Sequence, residues 1–269
     1  MLKNKIAYSK AHLKYLSKLR LHSSIIILSI IGVLVFFTIF WEIAAKLQWI
    51  DPFIFSSPSR IFKTFVQLYS NGTLMKHVWQ STYETILGFA LGSIIGMIIA
   101  TILWWSPLLK SIFEPYLVVI NSLPKIALGP IIIVWVGTGA ASIITMAILI
   151  SFIITALNML TAFCETDKDK LLLMRTMRAK KYQIFTKLVF PSNTVSLLNT
   201  LKINVGMSWV GTIMGEYLVS KAGLGYLIVY GGQVFKLDLV MTCTIALCIL
   251  AGGMYGLVAL IELIARRHR

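Results

Sequence analysis

Residues 140–164, AASIITMAILISFIITALNMLTAFC, form an uninterrupted run without a single charged side chain. A helix needs about 20 predominantly apolar residues to cross the hydrocarbon core of a bilayer, so this run is long enough to span a membrane. Further mostly apolar runs occur at 24–46, 84–105, 109–136, 195–218 and 238–264. The sequence therefore predicts an all-α, polytopic membrane protein with about six transmembrane helices.

The composition supports the same class. Hydrophobic residues make up 58% of the 269 residues and charged residues 13%, with a mean hydropathy of +0.83. A soluble domain carries about a quarter of its residues as Asp, Glu, Lys and Arg, so an ordinary soluble enzyme is excluded. The three cysteines are an odd number without a CxxC pair, and they support neither a disulfide framework nor a metal site.

The basic residues indicate how the chain is oriented. Lys and Arg outnumber Asp and Glu by 25 to 10, which gives a net charge of +15. They cluster in an N-terminal tail, 1–23, in a loop at 165–190 and at the C-terminus, 265–269. With six spans all three clusters fall on one side. Because cytoplasmic segments carry the excess of Lys and Arg, we expect both termini and this loop in the cytoplasm, and no nucleic-acid partner.

The opposite side of the membrane receives the segment 47–83. Arg60 and Lys63 interrupt its apolar pattern, while its apolar residues recur near helical spacing. We expect an external loop with an interfacial amphipathic helix, which turns at Asn71-Gly72. The rest of the chain, 84–264, forms the predicted membrane core.

Small residues recur every fourth position in two predicted spans. The two sets are Gly88, Gly92, Gly96 and Ala100, and Gly252 and Gly256. Such faces let helix backbones approach closely in lipid. The pattern fits packing within one chain and a seam between two chains equally well.

The sequence lacks the motifs of an enzyme or a self-powered pump. It contains no GxxxxGK[ST] phosphate-binding loop, no HExxH and no GxSxG. Its few acidic residues do not form the paired mid-membrane groups typical of proton-coupled transporters. We therefore expect no catalytic residue, no metal and no cofactor bound by this chain.

The loop 165–190 is the most unusual polar segment. Apolar residues such as Leu171, Met177 and Phe185 alternate with lysines and arginines, and the segment leads into Pro191. A short amphipathic helix that offers its apolar face to a partner protein fits this pattern. A helix resting on lipid headgroups is the alternative.

Several motifs in a fixed order resemble those of one known family. They are Ser57-Pro58-Ser59, His77, Ser81, Gly88-Phe89, Leu123-Pro124-Lys125-Ile126-Ala127-Leu128-Gly129-Pro130, Trp135-Val136-Gly137-Thr138-Gly139, Arg175-Thr176-Met177-Arg178-Ala179, Trp209, Glu216 and Gly223-Leu224-Gly225-Tyr226-Leu227-Ile228. Over about 55–265 the chain resembles the permease subunit of a bacterial binding-protein-dependent ABC importer, in particular the nitrate, sulfonate and taurine type. The resemblance implies the type I importer (MetI-like) permease fold and a multi-pass location in the bacterial inner membrane.

The cytoplasmic loop departs from the family pattern at two places. Leu172-Leu173-Met174 stands where the family usually has Glu-Ala-Ala, and Arg178 replaces a loop glycine. Glycine turns freely at positive φ, so its loss predicts either a different bend or one continuous helix.

The resemblance also implies partners and a mechanism. Two permease subunits, expected as a homodimer, would form the path for a small anionic solute such as nitrate, a sulfonate or taurine. A dimer of cytoplasmic ATPases would bind ATP and Mg and grip the loop, and an extracytoplasmic binding protein would deliver the solute. The residues expected to couple to the ATPase are Leu172, Arg175, Met177, Arg178, Ala179, Tyr182, Phe185 and Pro191.

Polar or aromatic residues within the spans are candidates for lining the path. They are Asn121, Ser122, Lys125, Asn158, Asn204, Ser208, Trp209 and Glu216. Each has an alternative role, because polar side chains in membrane helices often bond a neighbouring helix. Lys125 is expected either to attract an anion or to extend into water at the outer interface.

Two other functional classes compete with the importer subunit. A stand-alone secondary transporter or channel would be powered by an ion gradient and need no ATPase. A membrane scaffold or assembly subunit would carry no solute under any energised condition.

Overall fold

Helices make up nearly all of the chain's regular structure. The computed structural model describes residues 10–267, so the first nine residues of the predicted basic tail and the last two of the predicted C-terminal segment lie outside the described residues. The α-helices are α1 Lys10–Lys46, α2 Pro52–Phe55, α3 Pro58–Ser70, α4 Thr73–Trp105, α5 Pro107–Ser122, α6 Gly129–Val136, α7 Ala140–Cys164, α8 Lys168–Thr176, α9 Lys181–Ile184, α10 Phe190–Ser192, α11 Thr194–Val219, α12 Leu224–Gln233 and α13 Leu237–Arg267. No strand occurs among the described residues, and the predicted all-α class is confirmed.

Within residues 10–267, four helices are long and apolar enough to cross a membrane by themselves. They are Ser24–Lys46 within α1, α4, α7 and Leu237–Ala265 within α13. A fifth span arises if α5 and the bent segment Lys125–Val136 count together. The predicted sixth span, 195–218, is one helix, α11, but Lys202, Asn204 and Glu216 make it less apolar than the others. The polytopic class is thus confirmed, with four or five of the expected spans identifiable by apolar length.

Packing divides the chain into two units, Met1–Lys63 and Thr64–Arg269. In the first unit the end of α1 is tied to the start of α3, because Glu42 Oε2 accepts a hydrogen bond from the amide of Ser59 at 3.0 Å. Asp51 begins α2, since its Oδ1 accepts the amide of Phe53 at 2.8 Å.

The helix α7 lies at the centre of the second unit, and α4 packs along it through glycines. A Cβ atom at Gly92 would lie 2.5 Å from Cβ of Ser151, and one at Gly96 would lie 2.5 Å from Cβ of Thr155. Neither position has room for a side chain. The glycine face of α4 therefore packs within the chain, which decides between the two interpretations left open by the sequence.

The helix α11 also packs closely against α7 through a glycine. A Cβ atom at Gly211 would lie 2.7 Å from Cα of Ala147. Gly252 and Gly256 of α13 differ, because nothing lies within 4 Å of a Cβ built there. That pair is left on the surface of the chain.

The helix α4 begins eleven positions before the predicted span 84–105. The turn expected at Asn71-Gly72 is present, with Gly72 at a φ of +70°, and α4 starts at Thr73. The first eleven residues of α4 include polar residues, so the search for apolar runs did not identify this part of the helix. Ser81 and Glu84 are in fact fully buried against other helices.

The predicted span 109–136 is not one helix. It breaks after Ser122 and bends by 93° into a 3₁₀ turn, Lys125–Leu128, and α6. Pro124 explains the break, because proline disfavours helical geometry in the residue before it, and Leu123 is extended at φ −66° and ψ 141°. Lys125 consequently lies at the bend.

Candidate functional site

The predicted cytoplasmic loop, 165–190, contains two short helices, α8 and α9. Asp167 begins α8, since its Oδ1 accepts the amides of Asp169 at 2.9 Å and Lys170 at 3.4 Å. These amide donors favour the charged carboxylate and lower the pKa of Asp167 below its usual value. The loop is therefore an ordered helical structure with a capped beginning.

Arg178 makes the break between the two helices. It adopts a φ of +56°, the left-handed conformation that glycine takes most easily. The amide of Ala179 donates to the carbonyl of Met174 at 3.0 Å, and the amide of Arg178 donates to that of Arg175 at 2.9 Å. This pair of hydrogen bonds is a Schellman motif. The sequence left two alternatives for this loop, a bend or one continuous helix. The structure has a bend, and Arg178 adopts a backbone conformation that is unfavourable for a residue with a Cβ atom.

Most of the predicted coupling residues lie on the open side of the loop. Leu172, Met177 and Tyr182 are apolar or aromatic and exposed, with Met177 at 71%. Arg175 and Arg178 are exposed as well. Together these five residues form a surface with apolar and cationic side chains.

The remaining predicted coupling residues face the chain itself. Ala179 and Phe185 pack against the hydrophobic core around Phe163. The ring centroid of Phe185 lies 5.1 Å from that of Trp104 and 5.4 Å from that of Phe163. Pro191 lies half-buried in α10. These residues fix the loop to the membrane helices.

The loop continues into α11 with one short interruption, a turn at Asn193 with φ −96° and ψ 13°. A π-helical turn, Phe185–Val189, joins α9 to α10 and leads through Asn193 to α11. Pro191 provides no amide hydrogen, and a wider turn just before a proline accommodates the missing hydrogen bond. A displacement of α9 would thus be carried to α11 by the chain itself.

A seam of polar side chains runs between α4, α7 and α11. Its members are Ser81, Thr85, Ser93, Ser151, Thr155, Asn204, Ser208, Thr212 and Glu216, all buried. Ser151 and Ser208 share a hydrogen bond of 2.7 Å. Asn204 Nδ2 donates to Ser93 Oγ at 3.1 Å. We call this set the polar seam; in lipid, such bonds between helices add specificity to glycine packing.

Glu216 ends the polar seam and holds the start of α12. Its Oε1 accepts the hydroxyl of Ser81 at 2.5 Å, and its Oε2 accepts the amide of Gly225 at 2.5 Å. Ser81 Oγ accepts the amide of Leu224 at 2.8 Å, and Nδ1 of His77, one turn earlier on α4, accepts that of Gly223 at 2.9 Å. Free amides at a helix N-terminus favour a negative partner, which Glu216 supplies.

Gly223 is required at this junction for two reasons. Its φ is +121°, and a Cβ atom there would collide with the carboxyl group of Glu216. The quoted sequence motifs around His77, Ser81, Glu216 and Gly223 therefore meet at one place, although up to 146 residues separate them.

The predicted path residues fall into two groups. Asn204, Ser208, Trp209 and Glu216 are 6% exposed or less and lie in contacts between helices. Asn121, Ser122 and Asn158 are exposed. The structure thus brings the first group together within the chain and leaves the second on its surface.

Lys125 is half-buried, so its exposure is intermediate between those of the two groups. Its Nζ donates to the carbonyl of Asn121 at 2.9 Å and to Oδ1 of the same residue at 3.2 Å. It also lines a cavity of about 190 Å³ whose other walls are apolar, among them Ile132 and Met146. The apolar walls suit the apolar part of a small organic ligand, and Lys125 contributes a cationic side chain to the lining.

Some contact residues were missed by the sequence analysis. Ser81, which the sequence analysis quoted only as a motif residue, bonds to Glu216, while Ser151 bonds to Ser208 and Thr155 to Asn204. Thr85 bonds to Thr212, which was not predicted either, and the ring of Trp104 contacts that of Phe185. A recurrent four-residue spacing, at 204, 208, 212 and 216 and again at 81 and 85, was the signal that could have identified the seam. Among the described residues no group of His, Cys, Asp and Glu could hold a metal ion.

Comparison with known proteins adds three findings. Residues 92–269 match the family described as binding-protein-dependent transport system inner membrane component. The chain is 29% identical to the formylaminopyrimidine transport permease protein ThiX of Halalkalibacterium halodurans, over 70% of this chain and 74% of the relative. It is 26% identical to the putative aliphatic sulfonates transport permease protein SsuC of Bacillus subtilis, over 72% and 71%.

A solved structure has the same fold. A chain of the methionine ABC transporter MetNI in an inward-facing conformation superposes with a TM-score of 0.64 and 20% identity, covering 71% of this chain and 95% of that one. The match confirms the predicted type I importer permease fold.

Proposed function

Because this chain belongs to the family of inner-membrane components of binding-protein-dependent transport systems, and is an importer permease subunit, we propose that it moves a small organic anion inward, driven by a separate ATPase. An extracytoplasmic binding protein would deliver the solute. A second copy of the chain would complete the path.

The exposed apolar surface of the cytoplasmic loop is the observation that carries the proposal. Leu172, Met177 and Tyr182 project from a segment rich in Lys and Arg, on the side of the protein that we expect in water. Large apolar side chains exposed among charged ones are typical of a protein interaction site. The described loop also has a capped first helix and a defined turn at Arg178.

The connection from this loop to the helices supports alternating access. The loop is continuous with α11 through the π-helical turn, and α11 is joined to α4 and α7 by the polar seam. A push on the loop would shift α11 as a body, because its contacts are close-packed glycines and buried hydrogen bonds. Small helix shifts of about 1–2 Å are a usual means of switching between two states.

The solute class is proposed from Lys125 and its cavity. An ammonium group beside apolar walls suits a short alkyl or aryl anion, and the similarity to a putative aliphatic sulfonate permease supports this class. The surface glycines Gly252 and Gly256 support a close contact of α13 with another helix, for which a second copy is our candidate.

The test is uptake by the reconstituted complex with its ATPase and binding protein. We expect uptake of a radiolabelled short alkanesulfonate that requires ATP and persists when ionophores remove ion gradients. Lys125→Ala should lower uptake at least about tenfold if the ammonium binds the anion, while Lys125→Arg retains it. Uptake that follows an ion gradient without ATP would establish the secondary-transporter alternative, and uptake of formylaminopyrimidine instead of the sulfonate would overturn the anionic class.

A further inference from the structure

The C-terminal end of α4 is closed by a residue of the cytoplasmic loop. The last carbonyl groups of a helix have no partner within it and carry partial negative charge. Leu109 is the residue four positions after Trp105, whose amide would bond to the Trp105 carbonyl if the helix continued. That amide instead donates to Ser106 Oγ at 3.4 Å, which leaves the carbonyl of Trp105 available. That carbonyl accepts a hydrogen bond from Lys181 Nζ at 2.5 Å, across 76 residues of sequence.

Lys181 also lies over the rings at this helix end. Its Nζ is 5.6 Å from the ring centroid of Trp104 and 6.0 Å from that of Trp105. Cations within about 6 Å of an indole face are attracted by its electron density. The ammonium group is therefore held by a carbonyl, by two aromatic rings and by the helix end.

A second residue of the same helical segment contacts the same tryptophans. Phe185 follows Lys181 by one helical turn, and its ring centroid is 5.1 Å from that of Trp104 and 6.2 Å from that of Trp105. Phe185 supplies apolar area, whereas the hydrogen bond of Lys181 is directional. Lys181 is exposed, as are the neighbouring Lys180 and Lys187, so its bond to the Trp105 carbonyl and its contact with the rings distinguish it from them.

We infer that Lys181 is a positioning residue for energy coupling, which fastens the cytoplasmic loop to the end of α4 through the carbonyl of Trp105. The inference rests on the proposed function. Chain continuity connects the loop to α7, which precedes it, and to α11, which follows it. The Lys181 contact adds α4, so that a displacement of the loop also moves α4.

The test measures the distance between the loop and the end of α4 directly. Spin labels are placed on Lys187→Cys and Leu108→Cys, two exposed positions, after the native cysteines are changed to serine. Distance distributions are recorded for the isolated chain in lipid nanodiscs, and for its complex with the ATPase without nucleotide and with trapped ATP. Lys181→Met removes the charge, Lys181→Arg retains it, and Lys180→Met is the matched control.

With Lys181 present we expect one narrow distance that ATP does not change. Lys181→Met should broaden or shift it by on the order of 2 Å, most strongly with ATP, while Lys181→Arg and Lys180→Met resemble the unmodified chain. A Lys181→Met distribution that equals the unmodified one in every state would overturn the inference. If the unmodified chain binds no ATPase, the proposed function fails, and the isolated chain still decides whether Lys181 holds the loop.

Discussion

The hydroxyl group of Ser81 donates a hydrogen bond to Oε1 of Glu216 over 2.5 Å, although 135 residues separate them in the chain. Both side chains are buried, and both also receive amides from the start of α12. The sequence predicted that Glu216 lies along a solute path. In the structure its hydrogen bonds connect α4, α11 and α12.

We expect Glu216→Ala to destabilise the protein strongly. The substitution leaves the buried hydroxyl of Ser81 and the buried amide of Gly225 without their partner, and a buried donor left unsatisfied costs about 1–3 kcal/mol. Thermal denaturation in detergent should show a lower melting temperature. Glu114→Ala is the control, because Glu114 forms only a surface pair with Lys110 at 3.8 Å. Equal melting temperatures for both variants would refute the structural role.

The glycine face of α4 gives a second prediction. Gly92→Leu should reduce folded yield and stability, since overpacking a close contact costs about 1–3 kcal/mol and a Cβ atom alone would already lie 2.5 Å from Ser151. Gly206→Leu introduces the same side chain at an exposed position of α11, where nothing lies within 4 Å of a Cβ atom, and we expect it to fold normally. Folded yield and melting temperature are measured for both variants. Equal values would contradict the close packing of α4 against α7 at Gly92.

Arg178→Gly should stabilise the loop. A left-handed conformation costs a residue with a Cβ atom about 1–2 kcal/mol, which glycine avoids. Hydrogen exchange of the Ala179 amide, bonded to Met174, should slow in this variant. Arg175→Gly, inside α8, should have the opposite effect, with a cost of about 1 kcal/mol. Faster exchange in Arg178→Gly would contradict the assigned turn.

Ala179→Trp should uncouple ATP hydrolysis from transport, so that ATP is hydrolysed without solute uptake. Ala179 packs at the bend of the loop against the core around Phe163, where a large ring has no room. The ring would displace the loop from the membrane helices while leaving its outer surface available. We expect ATP hydrolysis to continue and solute uptake to fall; uptake at the normal rate would count against this mechanism.

The sequence was informative wherever a single local property determined the structure. An uncharged run such as 140–164 can only be a buried or membrane-spanning helix, and the turn at Asn71-Gly72 follows from glycine chemistry. The motif order identified the fold, which the structural match confirms.

The sequence was less informative where several distant segments act together. The start of α4 carries polar residues because α11 and α12 supply their partners, so apolar length alone placed its beginning at 84 instead of Thr73. Pro124 could have signalled the break in 109–136, but its 93° angle depends on the packing around it. Whether a glycine face meets its own chain or another one likewise depends on tertiary contacts.

According to the proposed function, a separate ATPase docks on the exposed apolar residues of the loop. The most direct test purifies the tagged protein from its native membrane in mild detergent, identifies the proteins that remain bound and measures ATP hydrolysis. We compare the unmodified chain with a triple variant, Leu172→Ser, Met177→Ser and Tyr182→Ser, and with Thr176→Ala as an exposed control on the same loop. We predict a bound, active ATPase with the unmodified chain and the control, and its loss with a folded triple variant. Retention of the ATPase by the triple variant, or a chain that purifies alone in several detergents, would contradict the claim.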